Sequence, residues 1–142
     1  MINVSTKGRY AVRIMVNLAR VPGGEAKSAR IIGEEEGISA DYVEQLLVKL
    51  RGLGFVKSRR GKRGGAMLAG PADRIRVADL LAVIEGEVCL APCITGACER
   101  EGRCPARKLW QEANDAIERV FESASIADLA QGKGTETLSF QI

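Results

Sequence analysis

A mainly α-helical fold carrying one small β-hairpin is what the sequence predicts, and three observations predict it. Apolar residues recur at helical spacing in successive stretches of the 142-residue chain, the period turns strand-like only around residues 55–69, and glycine clusters mark the joints. This length suits one hydrophobic core with a protruding helix.

The first stretch places Tyr10, Ala11, Ile14, Met15, Leu18 and Ala19 on one helical face, and Val21-Pro22-Gly23-Gly24 ends it. A second, short helix over Lys27–Glu36 carries Ile31 and Ile32 and is closed by Gly37. Ser39 is the expected N-cap of a third, where Tyr42, Val43, Leu46, Leu47 and Leu50 form the apolar face and Gly52 and Gly54 mark the stop. Two short helices around Gly37-Ile38-Ser39 predict a helix-turn-helix whose second member, about 39–53, can enter a major groove.

After Gly54, Phe55–Arg59 reads as a strand, Arg60–Gly65 as a loop and Ala66–Ala69 as the returning strand. The glycines lack the spacing of a phosphate-binding loop and no strand-loop-helix follows. A helix-turn-helix followed by this basic hairpin, about 54–69, is a winged helix, and residues 1–86 are expected to form it, with Val77–Ile84 as its last helix. Residues 87–104 lose all periodicity. Pro105 then opens a helix to 123 whose stripe, Ala106, Leu109, Trp110, Ala113, Ile117, Val120 and Phe121, exceeds what the small domain needs. Antiparallel pairing with a second copy uses that stripe, and a homodimer matches a palindromic site; packing against the first helix is the alternative. Residues 124–142 are expected to be a short segment, apolar over Ile126–Leu129, and a flexible tail.

Net charge is only +3, but its distribution is informative: between Lys49 and Arg63 there are seven Lys or Arg and no acid, while Glu34-Glu35-Glu36 form an acidic run. Such a local field suits double-stranded DNA. Ser39, Tyr42 and Glu44, at the start of the recognition helix, are candidates for phosphate or base contact. Arg59, Arg60, Lys62 and Arg63 of the wing, with Arg51, Lys7 and Arg9, are candidates for phosphate or the minor groove. Glu44 cannot profit from phosphate but can accept from cytosine N4, and a plain surface charge is an equal reading; Tyr42 can equally be a packing aromatic. The first twenty residues lack a signal-peptide pattern and no stretch is long enough to span a membrane, so a cytoplasmic chain with reduced cysteines is expected.

Those cysteines are Cys89, Cys93, Cys98 and Cys104, four in sixteen positions of a chain without histidine. Thiolates on such a segment can wrap an iron-sulfur cluster, and zinc accepts the same donors although paired Cys-x2-Cys knuckles are absent; spacing leaves the two close to even. A thiol oxidoreductase or radical enzyme is disfavoured, because there is no Cys-x2-Cys redox pair, no radical-type cysteine triad and no histidine base. A zinc-stabilised DNA-binding or interaction protein remains open.

Several motifs together carry a family resemblance: Ser5-Thr6-Lys7-Gly8-Arg9-Tyr10-Ala11, Ile38-Ser39-Ala40-Asp41-Tyr42-Val43-Glu44-Gln45, Leu50-Arg51-Gly52-Leu53-Gly54-Phe55-Val56, Arg60-Gly61-Lys62-Arg63-Gly64-Gly65, and the cysteine segment before Lys108-Leu109-Trp110. Over nearly its whole length the chain resembles the IscR-type iron-sulfur cluster regulators of the Rrf family of winged-helix transcription factors. The resemblance implies a homodimeric repressor, or dual regulator, of promoter DNA that senses iron-sulfur status through a [2Fe-2S] cluster and controls cluster-assembly genes. In the best-known branch three cysteines precede a histidine, whose place here is Arg107, a poor iron ligand. Cys93, Cys98 and Cys104 then need Cys89 as the fourth ligand; alternatively Cys89, Cys98 and Cys104 ligate and Cys93 is spare or joins them. Nitric-oxide-responsive relatives hold a [4Fe-4S] cluster with an aspartate of the first helix, but Lys7-Gly8-Arg9 stand there, so a nitric-oxide or redox-responsive repressor ranks second. Cluster-free members that bind a metabolic enzyme rank lower, since they have no need of this cysteine density.

Overall fold

The computed structural model describes residues 3–133. Helix α1 (Thr6–Ala19) begins at Ser5, whose hydroxyl accepts the Gly8 N–H at 3.1 Å, and buries Ala11, Ile14, Met15 and Leu18 along one face. Helix α2 (Ala29–Glu36) is capped by Ser28, and Gly37 closes it in the left-handed region at φ 65°. Helix α3 (Ala40–Gly52) starts at Ser39, whose hydroxyl accepts the Tyr42 N–H at 3.3 Å, and turns Val43, Leu46, Leu47 and Leu50 inward. α2 and α3 pack on each other and on α1 as a helix-turn-helix.

Strands β1 (Val56–Arg59) and β2 (Gly65–Leu68) pair antiparallel, Val56 opposite Leu68 and Arg59 opposite Gly65, with residues 60–64 as the tip. The fold is therefore a winged helix, mainly α with a small β wing. Lys27 is expected from the sequence to open the second helix. Instead it lies in extended chain beside β2, exchanging both backbone hydrogen bonds with Ala66 at 2.9 Å each, and the helix starts two residues later at the stronger cap, Ser28.

Helix α4 (Val77–Glu85) lies against α1. A one-turn helix α5 (Pro92–Thr95), not foreseen from the aperiodic sequence, interrupts the cysteine segment and rests on α6 (Pro105–Ser123). α6 packs along α4. Chain return is then made by α7 (Ile126–Ala130): Val77 donates to the Ala124 carbonyl and Ile126 to the Ile75 carbonyl, both at 2.9 Å. Ile126 is fully buried with Ile14, Met15, Ile32, Leu47, Leu50 and Leu80, so this segment completes the core. The expected flexible tail falls on residues 134–142, outside the described residues.

Candidate nucleic-acid interface and cysteine segment

Capping of α3 by Ser39 fixes where the exposed side of the recognition helix begins. Glu44, Arg51, Ser58 and Arg59 line one small cavity of about 150 Å³ where α3 meets the wing. A larger open groove of about 480 Å³ lies between the head of α2 and the hairpin tip, lined by Ser28, Arg30, Arg59, Lys62 and Arg63 with Glu25 at its edge. Arg59 borders both, so the candidates of the wing and of the recognition helix form one continuous basic face. Such a face offers guanidinium and ammonium donors to phosphate oxygens.

Other candidates are placed differently. Arg60 is exposed on the tip without lining either cavity. Lys7 and Arg9 are exposed in the first turn of α1, next to Gly8, which meets Glu85 of α4. Tyr42 is half-buried and packs edge-on against Tyr10, ring centroids 5.8 Å apart and planes at 80°, while the Arg13 guanidinium lies 5.3 Å from the Tyr10 centroid. That geometry makes Tyr42 a strut between α3 and α1. Sequence reading passed over Arg30, in the first turn of α2 and paired to Glu34 at 2.7 Å, and Gln45, exposed beside Glu44. Gln45 could have been found from the helical period, since it falls opposite the buried Val43, Leu46, Leu47 and Leu50; Arg30 could not, because only the folded wing brings it beside Arg63.

The cysteines are free thiols, Cys89 exposed and the other three half-buried. Cys89 Sγ lies 3.3 Å from the Ala91 carbonyl oxygen and 3.5 Å from the Thr95 hydroxyl, held within its own turn. Cys104 occupies the position before Pro105, at the mouth of α6. Arg107, one turn further, forms an ion pair with Glu101. That carboxylate raises the Arg107 pKa, with smaller contributions from the nearby Cys98 and Cys93. In donor chemistry four thiols suit iron or zinc; in placement, among the described residues, no three Cys, Asp or Glu side chains are grouped closely enough to hold a metal ion. Assembly of a centre therefore requires residues 87–104 to close up.

These features have known counterparts. Residues 4–132 match the Rrf2 model, described as iron-dependent transcriptional regulators. The chain belongs to the Rrf2 family. Among Rrf2 proteins it is 37% identical to the transcriptional regulator CymR of Bacillus subtilis over 130 residues, 91% of this chain and 90% of that one. The solved structure of B. subtilis CymR, described as the global cysteine regulator of that organism, superposes with a TM-score of 0.79 at 38% identity, covering 93% and 98% of the two chains. IscR of T. potens superposes with a TM-score of 0.73 at 34% identity, covering 99% and 94%. The Rrf2 relatives are transcriptional regulators, and this chain is a DNA-binding regulator of the same winged-helix type. Among its described residues no helix is long and apolar enough to cross a membrane.

Proposed function

We propose that the chain is a homodimeric iron-sulfur-responsive regulator, a repressor of cluster-assembly genes, that grips palindromic promoter DNA with α3 in the major groove and the wing on the flanking backbone. The observation that carries this reading is the position of the thiols. Cys89–Cys104 join α4, which packs under the DNA-binding unit, to α6, whose Leu109 and Trp110 are exposed in the single chain and offer a seam to a second copy. Ordering of residues 87–104 then resets the approach of two α6 helices and the spacing of two recognition helices. A bound cluster would be held by Cys93, Cys98 and Cys104 with Cys89, or by Cys89, Cys98 and Cys104, and would supply a redox- and iron-dependent charge at the head of α6. Ser39, Gln45 and Glu44 face the bases; Arg30, Arg51, Arg59, Lys62 and Arg63 neutralise phosphate.

The test is anaerobic purification with iron, acid-labile sulfide and zinc measured per chain, followed by promoter binding with and without the cofactor at one salt concentration. Iron and sulfide near two per chain support [2Fe-2S], near four [4Fe-4S], with DNA affinity differing between the two forms. Zinc without sulfide, or equal affinities, overturns cluster sensing and leaves DNA binding standing. A second reading is a cysteine- or oxidation-responsive regulator, favoured by the similarity to CymR and by four free thiols that, among the described residues, form no group of three ligating side chains close enough for a metal ion. It expects neither iron nor sulfide, and promoter binding that changes on thiol oxidation.

A further inference from the structure

The acidic run Glu34-Glu35-Glu36 ends α2, where the helix dipole disfavours carboxylates, and it offers nothing to phosphate. Its last two members are engaged instead by a polar knot between three parts of the fold. Asn17 of α1, only 7% exposed, donates from Nδ2 to Glu35 Oε2 at 2.9 Å and to Glu36 Oε1 at 2.8 Å. Lys27 Nζ donates to Asn17 Oδ1 at 2.8 Å and to Glu35 Oε2 at 2.6 Å, and Arg13 closes the Glu36 end at 3.1 Å. Lys27 and Asn17 hold the Glu35 carboxyl below the usual glutamate range.

Lys27 is also the residue whose backbone pairs in both directions with Ala66 of β2. One residue is thus bridged to the wing through its main chain, while its side chain is fastened to α1 and α2. Gly65 lets the strands approach this closely: a Cβ there would stand 2.3 Å from the Lys27 carbonyl oxygen. A covered ammonium with two partners contributes little net stability, because desolvation offsets the attraction, but it has few alternative arrangements and so defines geometry.

We infer that Lys27 is a positioning residue for DNA recognition: the Asn17–Lys27–Glu35 knot sets the angle of the wing to α3, so that Arg59, Lys62 and Arg63 and the recognition helix engage one duplex together. This rests on the DNA-binding reading above and adds a determinant that touches no DNA.

The experiment compares two DNA probes: a duplex selected by the wild-type protein from a random-sequence pool, and an unselected duplex of equal length. Glu35→Gln makes the chain more positive and Lys27→Met makes it less so; charge alone strengthens binding of both probes in the first and weakens it in the second. Positioning lowers the selected-to-unselected affinity ratio in both, by roughly tenfold, with the wing's hydroxyl-radical footprint weakened, while Lys27→Arg keeps the ratio. A ratio unchanged in both variants overturns the inference. Melting curves are recorded alongside, and if Lys27→Met is unfolded at the assay temperature, Glu35→Gln decides alone, since its side chain is 46% exposed. If the wild-type protein selects no sequence at all, sequence-specific DNA binding fails first and the inference with it.

Discussion

Arg59 sits where the two basic cavities meet and Arg63 at the hairpin tip, so each has phosphate reach without a carboxylate partner among the described residues. Replacing either by Ala is expected to weaken binding across all sequences and to lower the slope of log affinity against log salt by roughly one. An unchanged slope in a salt titration removes that arginine from the phosphate contacts. At the N-terminal end of α1, Glu85 Oε1 accepts the Ser5 N–H at 2.9 Å and the Ser5 hydroxyl at 2.7 Å, a carboxylate set over a helix N-terminus. A Cβ on Gly8 would lie 1.9 Å from that oxygen. Gly8→Ala therefore pushes Glu85 off Ser5 and is expected to cost about 1–2 kcal/mol. In a Glu85→Ala background, where the 3.2 Å approach to Leu81 Cδ2 remains, the same change should cost much less, and a double-mutant cycle from urea unfolding reads the difference.

The wing is the element whose geometry is most constrained, because Gly65 has φ 148° as well as the close Lys27 carbonyl. Gly65→Ala is expected to separate β2 from Lys27, destabilising the fold by about 2–3 kcal/mol and lowering DNA affinity; equal Tm and affinity would show the contact to be slack. α7 depends on its capping box, in which Ser125 and Asp128 bond reciprocally. The Ser125 hydroxyl and N–H hold the Asp128 carboxyl below the usual aspartate range. A depressed carboxylate stabilises the fold above its unfolded pKa and loses that contribution as pH falls through the folded one, so α7 should loosen below about pH 4. Asp128→Asn is expected to melt lower at neutral pH, with the gap from wild type closing in acid. The elements themselves were largely legible: serine caps, Gly37 and the period change at Gly54 are local signals, and local chemistry decides them. α5 was not, since Pro92–Thr95 has one turn and no period, nor was the Lys27–Ala66 bridge, since that pairing joins residues almost forty positions apart. Of the site, the basic hairpin could be read from composition, whereas Arg30 and the Asn17–Lys27–Glu35 knot exist only once α1, α2 and the wing are packed.

At the scale of the whole molecule, the uneven covering of α6 matters most. Its C-terminal half is held by the core, Phe121 packing against it, while Leu109 and Trp110 near its start stay 57% and 42% exposed. A tryptophan on an exposed apolar stripe beside the cysteine segment is what a two-fold seam supplies with a partner. Two copies joined there present two recognition helices, as a palindrome with half-sites about 34 Å apart requires. The 15.3 kDa chain is therefore expected to sediment at twice that mass at micromolar concentration. Trp110→Asp should give a folded monomer, because that side chain lies outside the buried core. Losing the second half-site should then weaken palindrome binding by roughly a hundredfold while leaving a single half-site's affinity nearly unchanged. Wild-type protein that sediments as a monomer, or a Trp110→Asp dimer that binds the palindrome normally, places the seam elsewhere. Coupling between the cysteine segment and the recognition helices would then need a route other than α6.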